Sequence, residues 1–231
     1  MYEIKIVPSI LSANFRCLEY EVKAAEDAGA DMIHCDVMDG HFVPVITFGP
    51  MVIEAVKKSV SVPLDVHLMI AEPAQHISSF RNAGADIITV HVESQNSVEQ
   101  TIPLIRASGA RVGVTVNPDT PADTILRHLS EIDHVLIMTV FPGYGGQKFI
   151  PAAVEKVRAV FDAAKRIGRC IDIEVDGGVN GETARVCAAH GANVLVAGSY
   201  VFNSNDYAGR IKSVRDGALA GREELMRSGA K

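Results

Sequence analysis

The chain holds only four cysteines, Cys17, Cys35, Cys170 and Cys187, far apart and with no C-x-x-C pair among them. That spacing excludes a disulfide framework and a cysteine zinc knuckle, and it suits a reducing compartment. Basic charge is not in excess either, since 22 Lys and Arg stand against 28 Asp and Glu for a formal charge of −6. Nucleic-acid arms and basic membrane-surface faces are thereby set aside, so neither nucleic acid nor membrane is an expected partner. Nowhere do apolar residues run on for the ~18 that suggest a membrane span, and Met1 to Pro8 lack the order of a secretory leader. The expectation is a soluble, cytoplasmic protein. Long Ser/Pro/Gly linkers and like-charge blocks are also missing, which leaves a single domain over residues 1–231.

What the chain does contain is a returning phrase, Gly-Ala followed by a short apolar run. It occurs at Gly29-Ala30-Asp31-Met32-Ile33, Gly84-Ala85-Asp86-Ile87-Ile88, Gly109-Ala110-Arg111-Val112-Gly113 and Gly191-Ala192-Asn193-Val194-Leu195. Each glycine suits the left-handed end of a helix, and the run after it suits a strand buried on both faces. With the runs at 63–66, 134–137 and 170–173, strands are predicted to start near 31, 63, 86, 111, 134, 170 and 193, after a first strand at 4–7. The steps of 23 to 36 residues are too long for hairpins and fit a strand, a helix and two loops. Between them lie apolar residues at helical spacing, such as Val154, Val157, Val160, Phe161 and Ala164. An open doubly wound sheet is the rival arrangement, but no G-x-G-x-x-G follows the first strand. Eight nearly even units favour the α/β class and a closed (β/α)8 TIM barrel, with an outer helix and a frayed tail over 216–231.

In such a barrel the chemistry gathers at the C-terminal ends of the strands. The predicted ends carry Ser9, His34 with Asp36, His67, His91 with Glu93, Asn117, Thr139, Asp176, and Gly198 with Ser199. His34 and Asp36 are two apart on one strand and share a face. His67 ends the next strand and Asp176 the seventh. Two imidazoles and two carboxylates make a donor set for one divalent metal ion per subunit, Zn²⁺ first, with Fe²⁺, Mn²⁺ or Co²⁺ also acceptable. Such a metal would polarise a carbonyl so that the neighbouring C–H becomes acidic. Asp36 would remove that proton, and Asp176, from a distant strand, would return one to the opposite face. His91 and Glu93 form the rival metal pair, ranked lower because Asn117 stands where a carboxylate partner would be needed. Glu174 shares the parity of Asp176, an unusual charge for a barrel interior.

Glycines cluster on the late loops, at Gly143, Gly145 and Gly146 around Tyr144, at Gly177-Gly178, and at Gly198-Ser199. Such loops let backbone N–H groups approach a phosphate. Met38, Met69 and Met138 lie near strand ends, where core packing is the simpler reading. His41, His76, His128, His134 and His190 read most simply as surface residues. A Schiff-base mechanism needs a strand-end lysine, and none is there: Lys5 lies too early and Lys148 is in a loop.

The runs Val7-Pro8-Ser9-Ile10-Leu11-Ser12-Ala13, His34-Cys35-Asp36-Val37-Met38-Asp39-Gly40-His41-Phe42-Val43-Pro44, Asp65-Val66-His67-Leu68-Met69, Pro142-Gly143-Tyr144-Gly145-Gly146-Gln147 and Glu174-Val175-Asp176-Gly177-Gly178-Val179 together resemble the signatures of the ribulose-phosphate 3-epimerase family. The resemblance covers about residues 4–205. It implies interconversion of D-ribulose 5-phosphate and D-xylulose 5-phosphate, in the pentose phosphate pathway or the Calvin cycle. It implies His34, Asp36, His67 and Asp176 as metal ligands, Asp36 as proton acceptor and Asp176 as proton donor. Ser9, His67, Gly143, Tyr144, Gly145, Gly146, Gly177, Gly178, Gly198 and Ser199 match its substrate positions, and Met38, Met69 and Met138 its capping methionines. A homo-oligomer, dimer or hexamer, is implied as well. Three positions depart from the pattern: Val45 where Asn is usual, Phe141 where a polar residue is common, and Val92 where Pro is frequent. The alternatives are a sister epimerase acting on D-allulose 6-phosphate and a sugar-phosphate binding barrel without catalysis.

Overall fold

The computed structural model describes residues 3–229, and within them the strands and helices alternate along the chain. The strands are β1 (Lys5–Val7), β2 (Ile33–Met38), β3 (Leu64–Met69), β4 (Ile87–His91), β5 (Arg111–Val116), β6 (His134–Met138), β7 (Asp172–Asp176) and β8 (Val194–Val196). The helices are α1 (Leu18–Asp27), α2 (Pro50–Ser59), α3 (Ile77–Asn82), α4 (Val98–Ser108), α5 (Asp123–Leu126), α6 (Val154–Arg166), α7 (Gly181–Ala189), α8 (Ser199–Phe202) and α9 (Tyr207–Gly229). All ladders are parallel, in the order β1-β8-β7-β6-β5-β4-β3-β2. The remaining seam between β1 and β2 is joined by the Asp31 N–H donating to Ile6 O, the His34 N–H donating to Pro8 O, and a Ser9–His34 bridge. This is a (β/α)8 barrel.

The glycines of the repeated phrase sit where a helix turns into a strand. Gly29, Gly84, Gly109 and Gly191 all have φ between 82° and 115°, which a side chain would oppose. At Gly84 and Gly191 a Cβ would also run into Lys57 and Phe161.

Alternation along each strand divides the interior in two. Outward residues such as Ile33, Cys35, Leu64, Val66, Ile88, Val112, Val114 and Val135 meet the helices in one continuous apolar cluster. Inward residues are largely polar and fully or nearly buried: His34, Asp36, Asp65, His67, Thr89, His91, Thr115, His134 and Glu174. The apolar part of the barrel interior includes a cluster of Val7, Met32, Ile87, Val194 and Val196, the last of which reaches the mouth pocket. At the N-terminal face Asp172 accepts from Lys5 Nζ, Arg111 Nη2 and Asn193 Nδ2 at 2.8–2.9 Å. Burial opposes its charge, but these donors hold its carboxyl well below the usual range.

Three expectations change. The outer helix starts at Tyr207, not 216, and its later glycines allow backbone contact with α7: a Cβ on Gly217 would lie 1.9 Å from Gly181 O, and one on Gly221 2.0 Å from Arg185 O. That helix continues to Gly229, and the expected tail at 230–231 lies outside the described residues. His134 and His128, expected at the surface, are buried. His134 opens β6 with inward parity, and His128 lies beneath Glu99 and Glu131. No helix among the described residues is long and apolar enough to cross a membrane.

Candidate active site

β2, β3 and β7 bring His34, Asp36, His67 and Asp176 to one place. A ligand atom from each lies within 4.8 Å of the others. The His34 and His67 side chains are fully buried, Asp36 is nearly so, and Asp176 is partly exposed in the mouth. Asp36 Oδ1 is 3.2 Å from both His34 Nε2 and His67 Nδ1, and its other oxygen accepts from Ser9 Oγ at 2.5 Å.

Each imidazole has its remaining nitrogen engaged from behind. His34 Nδ1 lies 2.7 Å from Asp65 Oδ2, and His67 Nε2 lies 2.8 Å from His91 Nε2. His91 Nδ1 in turn faces Glu93 at 3.0 Å, while Glu93 also accepts from the Asn117 N–H and the Thr120 hydroxyl. His91 and Glu93 therefore brace His67 instead of forming a rival metal pair. The ring nitrogens left over, His34 Nε2 and His67 Nδ1, point at the same carboxylate oxygen, the arrangement of a metal site with its ligands oriented by outer partners. The donor set and its geometry fit one divalent cation.

Environment separates the titrating groups. Burial disfavours charge on Asp36, but His34 and His67 pull its carboxyl far below the ordinary range. Burial and the neighbouring Asp36 carboxylate push Asp176 well above it. Burial lowers His67 to about 4, so its ring is neutral and free to coordinate. His34 is driven up despite burial by Asp36 and Asp65.

Above the cluster opens a pocket lined by Ser9, Asp36, Met38, Met69, Met138, Gly143, Tyr144, Gly145, Gly146, Asp176, Gly177, Gly178, Gly198 and Ser199. Of the expected site residues only His34 and His67 are missing from that wall, because they lie beneath it. The methionines are buried and face the pocket at once: Met38 and Met69 pack with Val43, Leu11 and Val45, and Met138 with Leu136 and Val140. Phe141, half exposed, stands at the rim. Sequence reasoning left out Leu11, Ser12, Val140, Gln147 and Val179, which also line the pocket. Thr139, noted only as a strand end, donates from its hydroxyl to Asp176 O at 2.8 Å and Gly177 O at 2.7 Å and so fixes the turn. Leu11, Ser12, Gln147 and Val179 lie inside the family-like runs beside residues already singled out, which was the available signal; Val140 had none beyond following Thr139.

Gly178 shows why the late loops are glycine. Its φ is +66°, and a Cβ would lie 2.7 Å from the Phe149 backbone nitrogen. Gly198 is pressed against Ser12 Oγ, 2.9 Å from where its Cβ would be.

The profile of the Ribulose-phosphate 3 epimerase family matches residues 5–202. The chain belongs to that family. A ribulose-phosphate 3-epimerase of Bacillus subtilis is 50% identical over 213 residues, covering 92% of this chain and 98% of the relative. A chloroplastic ribulose-5-phosphate-3-epimerase of Arabidopsis thaliana is 49% identical over 215 residues, 92% of this chain and 76% of the relative. These relatives are isomerases, and this family member is an enzyme of that class. Among solved structures, 3-hexulose-6-phosphate synthase from Salmonella typhimurium superposes with a TM-score of 0.68 at 19% identity, covering 94% of this chain and all of that one. At that identity it speaks for the barrel alone.

Proposed function

We propose that this family member interconverts D-ribulose 5-phosphate and D-xylulose 5-phosphate by moving one proton at C3. The observation that carries the reading is the convergence of two carboxylates from remote strands, Asp36 on β2 and Asp176 on β7, on one pocket beside His34 and His67, where the surroundings push Asp36 below and Asp176 above the usual carboxylate range. Two acidic groups pushed apart by their surroundings supply a base and an acid at the same pH. Asp36 takes the C3 proton, and Asp176 delivers one to the opposite face of the carbon, which inverts it. Ser9, 2.5 Å from Asp36, keeps that carboxylate turned toward the pocket. A divalent metal held by His34, Asp36, His67 and Asp176, zinc first and iron, manganese or cobalt otherwise, would polarise the adjacent carbonyl and stabilise the negative charge that deprotonation leaves.

Met38, Met69 and Met138 cover the reacting centre with soft apolar surface and keep water from reprotonating it. The backbone around Gly177, Gly178, Gly198 and Ser199 takes the phosphate, and the loop from Gly143 to Gly146 closes the wall beside it. The five-carbon substrate is the reading because the family and the relatives of about 50% identity carry that name, and D-allulose 6-phosphate is the comparison. Unpaired Cys17, Cys35, Cys170 and Cys187 support a reducing, cytoplasmic setting. Exposed Phe15, Ile46 and Met51 near the β2–α2 loop support a homo-oligomer.

The test is solvent exchange. Metal-loaded protein in D2O incorporates deuterium at C3 of ribulose 5-phosphate as xylulose 5-phosphate forms, and kcat/KM is higher than on the six-carbon sugar. No exchange removes the proposed chemistry, and a preference for the six-carbon sugar reassigns the substrate.

A further inference from the structure

Barrel interiors are ordinarily filled by branched apolar side chains. Here six inward ionisable side chains have no exposure at all: His34, Asp65, His67, His91, His134 and Glu174. The proposed proton transfer uses neither His134 nor Glu174. Buried ions cost several kcal/mol each in lost hydration, and an apolar pair of similar volume is often as stable or more so. Stability therefore gives no reason for the pair.

Its contacts do. His134 Nε2 lies 2.7 Å from Glu174 Oε2 and holds that carboxylate in one orientation. The other oxygen, Oε1, has no hydrogen bond of its own and stands 3.6 Å from His34 Nδ1. Asp65 Oδ2 approaches the same nitrogen at 2.7 Å. Carboxylates on β3 and β7 thus converge on one ring nitrogen, while Nε2, across the ring, faces Asp36 Oδ1 at 3.2 Å.

We infer that Glu174, anchored by His134, is a positioning residue for His34: with Asp65 it keeps a proton on Nδ1 and so presents the Nε2 lone pair to the divalent-metal site. Asp65 alone leaves two arrangements open, because a protonated carboxyl can also donate to a bare Nδ1. A second negative oxygen beside that nitrogen makes a proton between them the favourable one. The partner of one ring nitrogen sets the role of the other, and outer partners of this kind change metal affinity by about 10- to 100-fold. The inference rests on the reading of His34 as a metal ligand.

The experiment measures Co²⁺ affinity by chelator competition, the visible Co²⁺ spectrum, and the His34 Nδ1 proton in ¹⁵N-labelled zinc-loaded protein. Glu174→Gln keeps the size and removes the charge. It is expected to weaken Co²⁺ about tenfold, to shift the spectrum and to move the Nδ1 proton upfield. His134→Gln, whose amide still donates to Glu174, keeps wild-type affinity, and His134→Leu does not. Wild-type affinity, spectrum and proton position in Glu174→Gln overturn the inference. If Glu174→Gln does not fold, the His134→Leu and His134→Gln pair decides it: equal affinities in the two overturn the inference. His34→Ala separates the two readings. If it leaves Co²⁺ affinity unchanged, His34 is no ligand and both readings fall; if it weakens binding while Glu174→Gln does not, only the present one falls.

Discussion

Asp176→Asn tests the acid, and because Asp176 is also a proposed metal ligand the assay is run at saturating metal. The side chain keeps its shape, and Thr139 continues to hold the turn because it bonds the backbone oxygens of Asp176 and Gly177, not the carboxyl. General acid–base groups contribute about 10²–10⁴ in rate, so epimerisation falls by that factor, or about 2.7–5.4 kcal/mol of barrel-mouth catalysis at 1.36 kcal/mol per decade. The two sugars respond differently. Asp36 remains ionised and still takes the C3 proton of ribulose 5-phosphate, so that epimer exchanges with D2O without inverting. Xylulose 5-phosphate presents its proton to position 176, where an amide cannot accept it, and exchange there is lost. Stability moves the other way. A carboxyl whose folded pKa is raised loses stability as pH climbs from its unfolded value toward the folded one. Burial and Asp36 raise Asp176, so metal-free Asp176→Asn is more heat-stable than wild type at neutral pH and matches it at pH 3. Equal exchange from both epimers, or wild-type turnover, refutes the assignment of Asp176.

Three further outcomes are expected elsewhere in the molecule. Gly178→Ala places a side chain at φ +66° and 2.7 Å from Phe149 N; left-handed strain alone costs about 1–2 kcal/mol, and the displaced loop raises KM for the phosphorylated sugar more than it lowers kcat. Glu26 accepts from the Ser61 hydroxyl and amide and from Lys23, which lower its pKa to about 2. Its contribution, about 1.5–3 kcal/mol for bonds to a charged group, is present above pH ~4.3 and disappears as pH falls toward 2. Urea unfolding of wild type against Glu26→Gln should show the gap closing over that range. Gly217→Ala forces α9 off α7, since the added carbon would sit 1.9 Å from Gly181 O; overpacking of this kind costs about 1–3 kcal/mol, read as a lower urea midpoint with active-site exchange retained.

Much of this was legible without coordinates because period-2 and period-3.6 patterns are local. The Gly-Ala phrases located four strand entries within two residues, and the spacing of 23 to 36 residues required parallel neighbours. His34 with Asp36 announced itself by the same rule, since residues two apart on a strand share a face. The last helix was misjudged for the opposite reason. Gly217 and Gly221 read locally as poor helix formers, and their use as contact surface against α7 exists only once both helices are placed.

His134 and Glu174 mark the same boundary from inside the barrel. Their parity is written in the chain, but 40 residues separate them, and only closure of the sheet brings Nε2 and Oε2 to 2.7 Å. Residue types, strand rhythm and the donor set of the His/Asp cluster are properties of the sequence itself, because each follows from side-chain chemistry and short-range sterics. Which nitrogen of His34 faces Asp36, in which direction each aspartate's acidity is pushed, and whether a histidine lies in water or in the core were decided by the fold, since dielectric, distance and direction arise only when remote segments meet.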